Sequence, residues 1–337
     1  MIVARRLALV LVLATAVGVV AVVHAAASPR DDGDARALIA AARGAVTRYA
    51  FSGVVAVEWV AAGKTHRERV PVTEQGGLLV LGSSRRAMGT DSESLVHEAN
   101  GWFGLSTDGA SDAVPDPFGN YDISVGPGDA VAGRPTTLLT AVSRADRSVQ
   151  ERLYFDADTQ ILLRRVQLDG SQTERSVGFV EMSQPVAATA KPDTPPSTAH
   201  RATPLSPGHL GKGWDAPHSL GDGFELVDVY RQPDGSRQLY YSDGLVGMSV
   251  FEEKGTLDTD ALPHGGRTTT VAGRDARVYE TAGGRTVVWG TDKVVYTCVS
   301  DASTRTMDTL LAKLPAQPGH GIVARVTHFV LGPFSWE

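Results

Sequence analysis

The feature that most constrains this chain is a long succession of short runs in which apolar and polar residues alternate, each closed by a Gly, Asn or Asp turn. Alternation with period two places one face of an extended strand on a core and the other on solvent. In 51–60, Phe51, Val55, Val57 and Trp59 fall on one face, with Ser52 and Glu58 on the other. Ala62-Gly63-Lys64 turns the chain into 66–72, and Gln75-Gly76-Gly77 leads into 78–81. Asn100-Gly101, a strong two-residue hairpin signal, separates 95–99 from 102–105. Runs at 121–125, 136–143, 149–155, 161–168 and 176–182 follow. Helical spacing occurs once before them, over 35–49, where Leu38, Ala41, Ala42, Ala45, Val46 and Tyr49 recur and Asp34 is a candidate N-cap. The pattern predicts an α+β, mostly antiparallel β domain, with the helix covering the mouth of a curved half-barrel sheet.

Composition then changes. Six of the 18 prolines lie in 185–207, among Ala, Thr and Ser, which reads as an extended linker with little to bury. Beyond it, runs at 224–231, 238–241, 245–251, 268–271, 275–281, 285–290 and 293–300 predict a smaller β-rich domain. One helix is expected at 303–314, with Ser303 or Thr304 as cap and Met307, Leu310, Leu311 and Leu314 as its apolar stripe. A last strand is expected at 322–331. The expected division is a signal peptide or anchor at 1–27, a half-barrel domain at 28–184, the linker at 185–207 and the second domain at 208–337.

The N-terminus resembles an export signal. Arg5 and Arg6 precede a charge-free run at 7–23, and Ala25-Ala26-Ala27 offers a cleavage site. An uncleaved anchor is the other reading, so the chain is expected outside the cytoplasm, either released or tethered. The formal net charge of −6 comes without a basic stripe, which argues against nucleic acid as a partner. The single Cys298 lies in a run of buried-strand character and makes no internal disulfide.

Catalytic signatures are missing: no G-x-S-x-G, H-E-x-x-H, C-x-x-C or phosphate-binding loop occurs. The nine histidines never fall at metal-ligand spacing. Neither an enzymatic activity, a cofactor nor a metal is therefore expected. Phe51, Val55, Val57 and Trp59, with Leu78, Val80 and Trp102 on neighbouring strands, could line a cavity for acyl chains or simply fill a core.

Three motifs carry a family resemblance. Tyr241-Ser242-Asp243-Gly244-Leu245 reads as a turn between two strands. Tyr121-Asp122-Ile123-Ser124-Val125-Gly126, followed by Ala132-Gly133-Arg134, is similar to a tyrosine-rich strand before an "I-A-D/G-R" turn. Leu153 to Thr159, with Leu162-Leu163-Arg164-Arg165, is similar to "W-x-D-x-x-S-x-L-P-x-R". In this order the motifs resemble the sigma-E factor regulatory proteins (RseB/MucB-like), whose first domain has the shape of lipoprotein-carrier (LolA-like) folds. The resemblance implies a non-enzymatic, extracytoplasmic regulator in the envelope stress response. It would bind a membrane-spanning anti-sigma factor and accommodate lipid or lipoprotein acyl chains. A periplasmic lipid or lipoprotein carrier is the alternative, and a homodimer is left open. Arg231, Tyr240 and Tyr241 are expected to be exposed and are either the candidate partner contacts, since Tyr and Arg are enriched at interface hot spots, or ordinary sheet residues.

Overall fold

A computed structural model describes residues 32–75, 78–81, 115–188, 203–205, 214, 216–232, 234–291 and 293–314. Helix α1 (Asp32–Arg48) leads into β1 (Tyr49–Ala61), β2 (Lys64–Gln75) and β3 (Leu78–Leu81). Then come β4 (Tyr121–Val131), β5 (Arg134–Ser143), β6 (Val149–Asp156), β7 (Leu162–Asp169), β8 (Gln172–Met182) and β9 (Val186–Ala187). The second half holds β10 (Thr203–Leu205), β11 (Ser219–Gly221), β12 (Phe224–Arg231), β13 (Arg237–Ser242) and β14 (Gly247–Lys254). It ends with β15 (Arg267–Val271), β16 (Arg274–Thr281), β17 (Gly284–Gly290), β18 (Val294–Ser300) and α2 (Thr304–Leu311). The expected α+β architecture is present as two antiparallel sheets, ordered β3-β2-β1-β8-β7-β6-β5-β4 and β10-β12-β13-β14-β18-β17-β16-β15, neither closed into a barrel. β9 and β11 are short additions beside β1 and β12.

Register decides what each face carries. Val57, Val177, Arg165 and Leu153 lie side by side across β1, β8, β7 and β6. Trp59, Arg175, Gln167 and Glu151 form the adjacent row on the same face. Helix α1 packs on this face: Ala35, Ile39 and Ala42 join Ile123, Leu139, Leu153 and Phe155 in one core cluster, and Ala45 joins Phe51, Val55 and Val57 in another. The buried stripe is therefore 35, 39, 42 and 45, rotated from the expected one, and Leu38 is only half-buried. Three of its four residues are alanine, which lets the helix axis approach the sheet closely. The helix also starts at Asp32, so Asp34 lies inside its first turn and is not the N-cap. Tyr49 is the first residue of β1 and not the last of the helix.

In the second half, Met307, Leu310, Leu311 and Leu314 pack with Leu239, Tyr241, Met248 and Cys298 in one cluster. Ser303 caps α2, its hydroxyl oxygen accepting from Thr306 N at 3.2 Å. The two ends of the proline-rich stretch are themselves strand. Val186–Ala187 pairs with β1 and Thr203–Leu205 with β12, so each end is tied into a different sheet. The expected hairpin around Asn100-Gly101, the strand at 322–331 and the signal segment lie outside the described residues.

Candidate functional site at the joint between the sheets

The two sheets meet along the polar part of the face that α1 covers elsewhere. Arg165 grips Glu151 through two parallel bonds, Nε to Oε2 at 3.0 Å and Nη2 to Oε1 at 2.9 Å. Its Nη1 reaches Asp301, just past the end of β18 in the other sheet. Neighbouring Gln167 donates to the Asp301 carbonyl, and Arg175 donates to the Ala282 carbonyl. Glu174 accepts from Thr304 N at 3.0 Å, where a carboxylate meets the positive end of α2. Arg305 pairs with Asp169 at 2.9 Å, and Ala62 N donates to Glu280 at 3.1 Å. Apolar material is sparse here: Ala282 joins the first-sheet core, and Leu245 packs against clusters of both sheets.

At a second place the Ser242-Asp243-Gly244 turn enters the joint. Asp243 is 1% exposed, and its Oδ1 accepts from Leu245 N at 2.9 Å and Val246 N at 2.8 Å. Tyr121, at the start of β4, donates its hydroxyl to Asp243 Oδ2, and Asn120 donates to the Asp243 carbonyl at 3.0 Å. Gly244 adopts φ 100°, and a Cβ there would strike the Pro115 carbonyl and lie 2.7 Å from Pro117 N. Glycine serves here both for its positive φ and for the close approach of a second backbone.

Burial dominates the electrostatics. It raises the Glu151 pKa against the opposing pull of Arg165, and raises that of Asp243 against its hydrogen bonds from Tyr121, Val246 and Leu245. Burial also raises the Tyr121 hydroxyl, helped by the charge of Asp243. Burial tends to neutralise Arg165, but Asp301 and Glu151 outweigh it and hold the guanidinium charged. Arg175 falls to about 10 through burial. Perturbed carboxylates in a cleft are the usual mark of acid–base catalysis. Here each oxygen of Glu151 and Asp243 is already committed to a guanidinium, a backbone N–H or the Tyr121 hydroxyl, so Asp243 ties the second sheet to the first and Glu151 anchors the Arg165 that reaches Asp301. Among the described residues, His, Cys, Asp and Glu side chains form no group that could hold a metal.

The residues singled out from sequence scatter. Phe51, Val55 and Val57 are 8%, 0% and 0% exposed, and are packed as core. Trp59 is half-buried, stacked on His66 at 5.4 Å beside the joint. Trp102 lies outside the described residues, as do the side chains of Leu78 and Val80. Arg231 is exposed at the end of β12, and Tyr240 is half-buried. Tyr241 corrects the expectation of an exposed partner contact: it is 0% exposed, and its hydroxyl donates to the Pro217 carbonyl at 3.0 Å. Strand alternation sends neighbours 240 and 241 to opposite faces, so both could not have been exposed on one surface. The joint residues Glu151, Arg165, Gln167, Glu174, Arg175 and Asp301 were missed from sequence. The available signal was charge at inward-facing positions of β7 and β8, where an isolated sheet would place apolar residues.

Fold and joint together define a class: an α+β protein whose described residues form two open antiparallel sheets, each packed with a helix, fastened by buried ion pairs. Among solved structures, the chain is similar to "Crystal structure of MucB", with TM-score 0.44 and 19% identity over 82% of this chain and 96% of that one. It is similar to "The complex structure of Pseudomonas aeruginosa MucA/MucB", with TM-score 0.43 and 19% identity over 86% and 100%. The structure of MucB in complex with MucA(peri) gives TM-score 0.42 and 20% identity over 82% and 97%. The chain matches no protein-family model and no curated protein.

Proposed function

We propose that this chain is a non-enzymatic, extracytoplasmic regulator of sigma-factor activity that binds the outer segment of a membrane-spanning anti-sigma factor. One observation carries the reading: the segments on which the family resemblance rests find one another in space. Tyr121 of the first motif donates to Asp243 of the Tyr241–Leu245 motif, 122 residues away. Arg134 of the Ala132-Gly133-Arg134 turn pairs with Asp156 of the third motif. Asp156 in turn closes its own turn by accepting from Thr159 N at 2.8 Å and Asp158 N at 3.1 Å. Those motifs are thus joints of a two-sheet scaffold, and a scaffold of this kind suits holding a peptide.

Arg231 and Tyr240 are the partner contacts in this reading, on opposite faces of the second sheet, with Tyr241 in the core. Accommodation of lipid by Phe51, Val55, Val57, Trp59 and Trp102 is the finer part. It requires α1 or the second sheet to move off the covered face, because Phe51, Val55 and Val57 are packed as core. The domain division at 184 and 207 is proposed with it, the ends of the linker being tied to different sheets. The test is affinity capture of residues 28–337 from detergent-solubilised membranes, read by mass spectrometry. Recovery of one single-span protein with a cytoplasmic sigma-binding domain, lost with Arg231→Ala plus Tyr240→Ala, supports the regulator. Recovery of phospholipid or lipoprotein without such a protein replaces it with a carrier.

A further inference from the structure

A small cleft of about 40 Å³, partly open to solvent, lies on the joint between Trp59, Gln167, Arg175, Glu280, Arg285 and Asp301. Its lining has a one-sided deficit. The Trp59 indole N–H, Arg175 Nε and Arg285 Nε are all buried donors without an acceptor. Arg175 is 6% exposed and Arg285 7%. The acidic groups nearby are occupied. Glu174 accepts from Thr304, Asp301 from Arg165, and Glu280 from Ala62 N, while Arg267 stands 3.7 Å from Glu280. Arg285 Nη1 has Asp308 at 3.3 Å and the Thr304 carbonyl at 3.3 Å, whereas Arg175 Nη2 bonds a carbonyl oxygen of Ala282. Register brings Arg175 directly opposite Trp59 across β1 and β8, and Trp59 is fixed by its stack on His66. A buried guanidinium with unfilled donors is costly unless an anion completes it. Burial lowers the Arg175 pKa although the charges of Asp301 and Glu151 oppose it.

We infer that this cleft is a binding site for a small oxyanion of the phosphate or carboxylate type, held by Arg175 with Trp59 and Arg285. Guanidinium N–H groups and an indole N–H are all donors, so an acceptor-only ligand is the matching chemistry. Because the anion would touch residues of both sheets, its binding would also tighten the joint. Inorganic phosphate is titrated into the protein by calorimetry and by thermal melting, at constant ionic strength set with chloride. The expected result is saturable binding with a rise in Tm. Arg175→Met weakens it roughly tenfold or more, as loss of a charge-assisted bond implies, and Trp59→Phe, which keeps the ring and removes the N–H, weakens it by less. Glycerol 3-phosphate separates the sources: tighter binding than phosphate points to a phosphoester headgroup, equal binding to the free anion. Absence of saturable binding, or binding unchanged in both variants, overturns the assignment.

Discussion

Replacing Arg165 with methionine removes the guanidinium that neutralises Glu151 and bridges to Asp301, while keeping most of the aliphatic stem. Glu151 is 2% exposed and Arg165 3%, so neither charge can turn to water without opening the joint. Removing one partner of a buried pair typically costs about 3–5 kcal/mol, because the remaining charge is left uncompensated. That is a large part of the roughly 5–15 kcal/mol by which such proteins are stable. The loss has a pH signature. Glu151 already has a folded pKa raised by burial above its ordinary 4.5, and without Arg165 it rises further. A carboxyl with a raised folded pKa contributes stability that is full below the unfolded value and lost as pH rises through the folded one. The deficit of Arg165→Met is therefore largest near neutrality and shrinks as pH falls toward about 4.5, by up to about 1.4 kcal/mol for each unit of added shift. Urea unfolding followed by tryptophan fluorescence and circular dichroism at several pH values measures it. The double variant Arg165→Met/Glu151→Leu should recover part of the loss, since it removes the stranded Glu151 carboxylate while Asp301 still lacks its guanidinium partner. A loss below about 1 kcal/mol, or one constant across the pH range, refutes the view that this pair carries the joint.

Gly244→Ala should destabilise by at least about 1–2 kcal/mol from the positive φ alone, and by more from the collision with Pro115 and Pro117; an unchanged melting temperature contradicts the packing described. Tyr121→Phe removes the hydroxyl from Asp243, a bond to a charged group worth about 1.5–3 kcal/mol near neutral pH. Since burial raises the folded pKa of Asp243, that deficit should shrink as pH falls toward 4 and the carboxyl becomes neutral; equal losses at both ends speak against an ionised Asp243. Cys298 is fully buried, and burial raises its thiol pKa. It should resist a thiol reagent in native buffer and react at the rate of unfolding in urea, so rapid native labelling would place it at the surface.

The sequence alone placed most of the described strands to within about four residues, although β4 runs to Val131 instead of ending at Val125, and β9, β10 and β11 were not expected. β12 runs over the 224–231 predicted from alternation, and β5, β6 and β13 extend theirs by a residue or two at the turns. Period-two patterning, turn glycines and a capping serine act through near neighbours, so they are legible without the fold. The same patterning identified Phe51, Val55 and Val57 as inward-facing, but that α1 packs on them through Ala45 was visible only in the tertiary structure. The stripe of α1 was misjudged because which face of an alanine-rich helix is buried depends on the sheet it meets and not on its own composition. Tyr241 was taken as exposed because a tyrosine beside a turn looks the same in sequence whichever face it occupies. Above all, inward-facing charges on β7 and β8 hinted at the joint, but their partners could not be read from sequence. Glu151 and Arg165 are in one sheet and Asp301 follows β18 of the other, and Tyr121 and Asp243 are 122 residues apart. Buried charges are tolerated only where a partner from elsewhere in the chain meets them, and that meeting is a property of the tertiary structure.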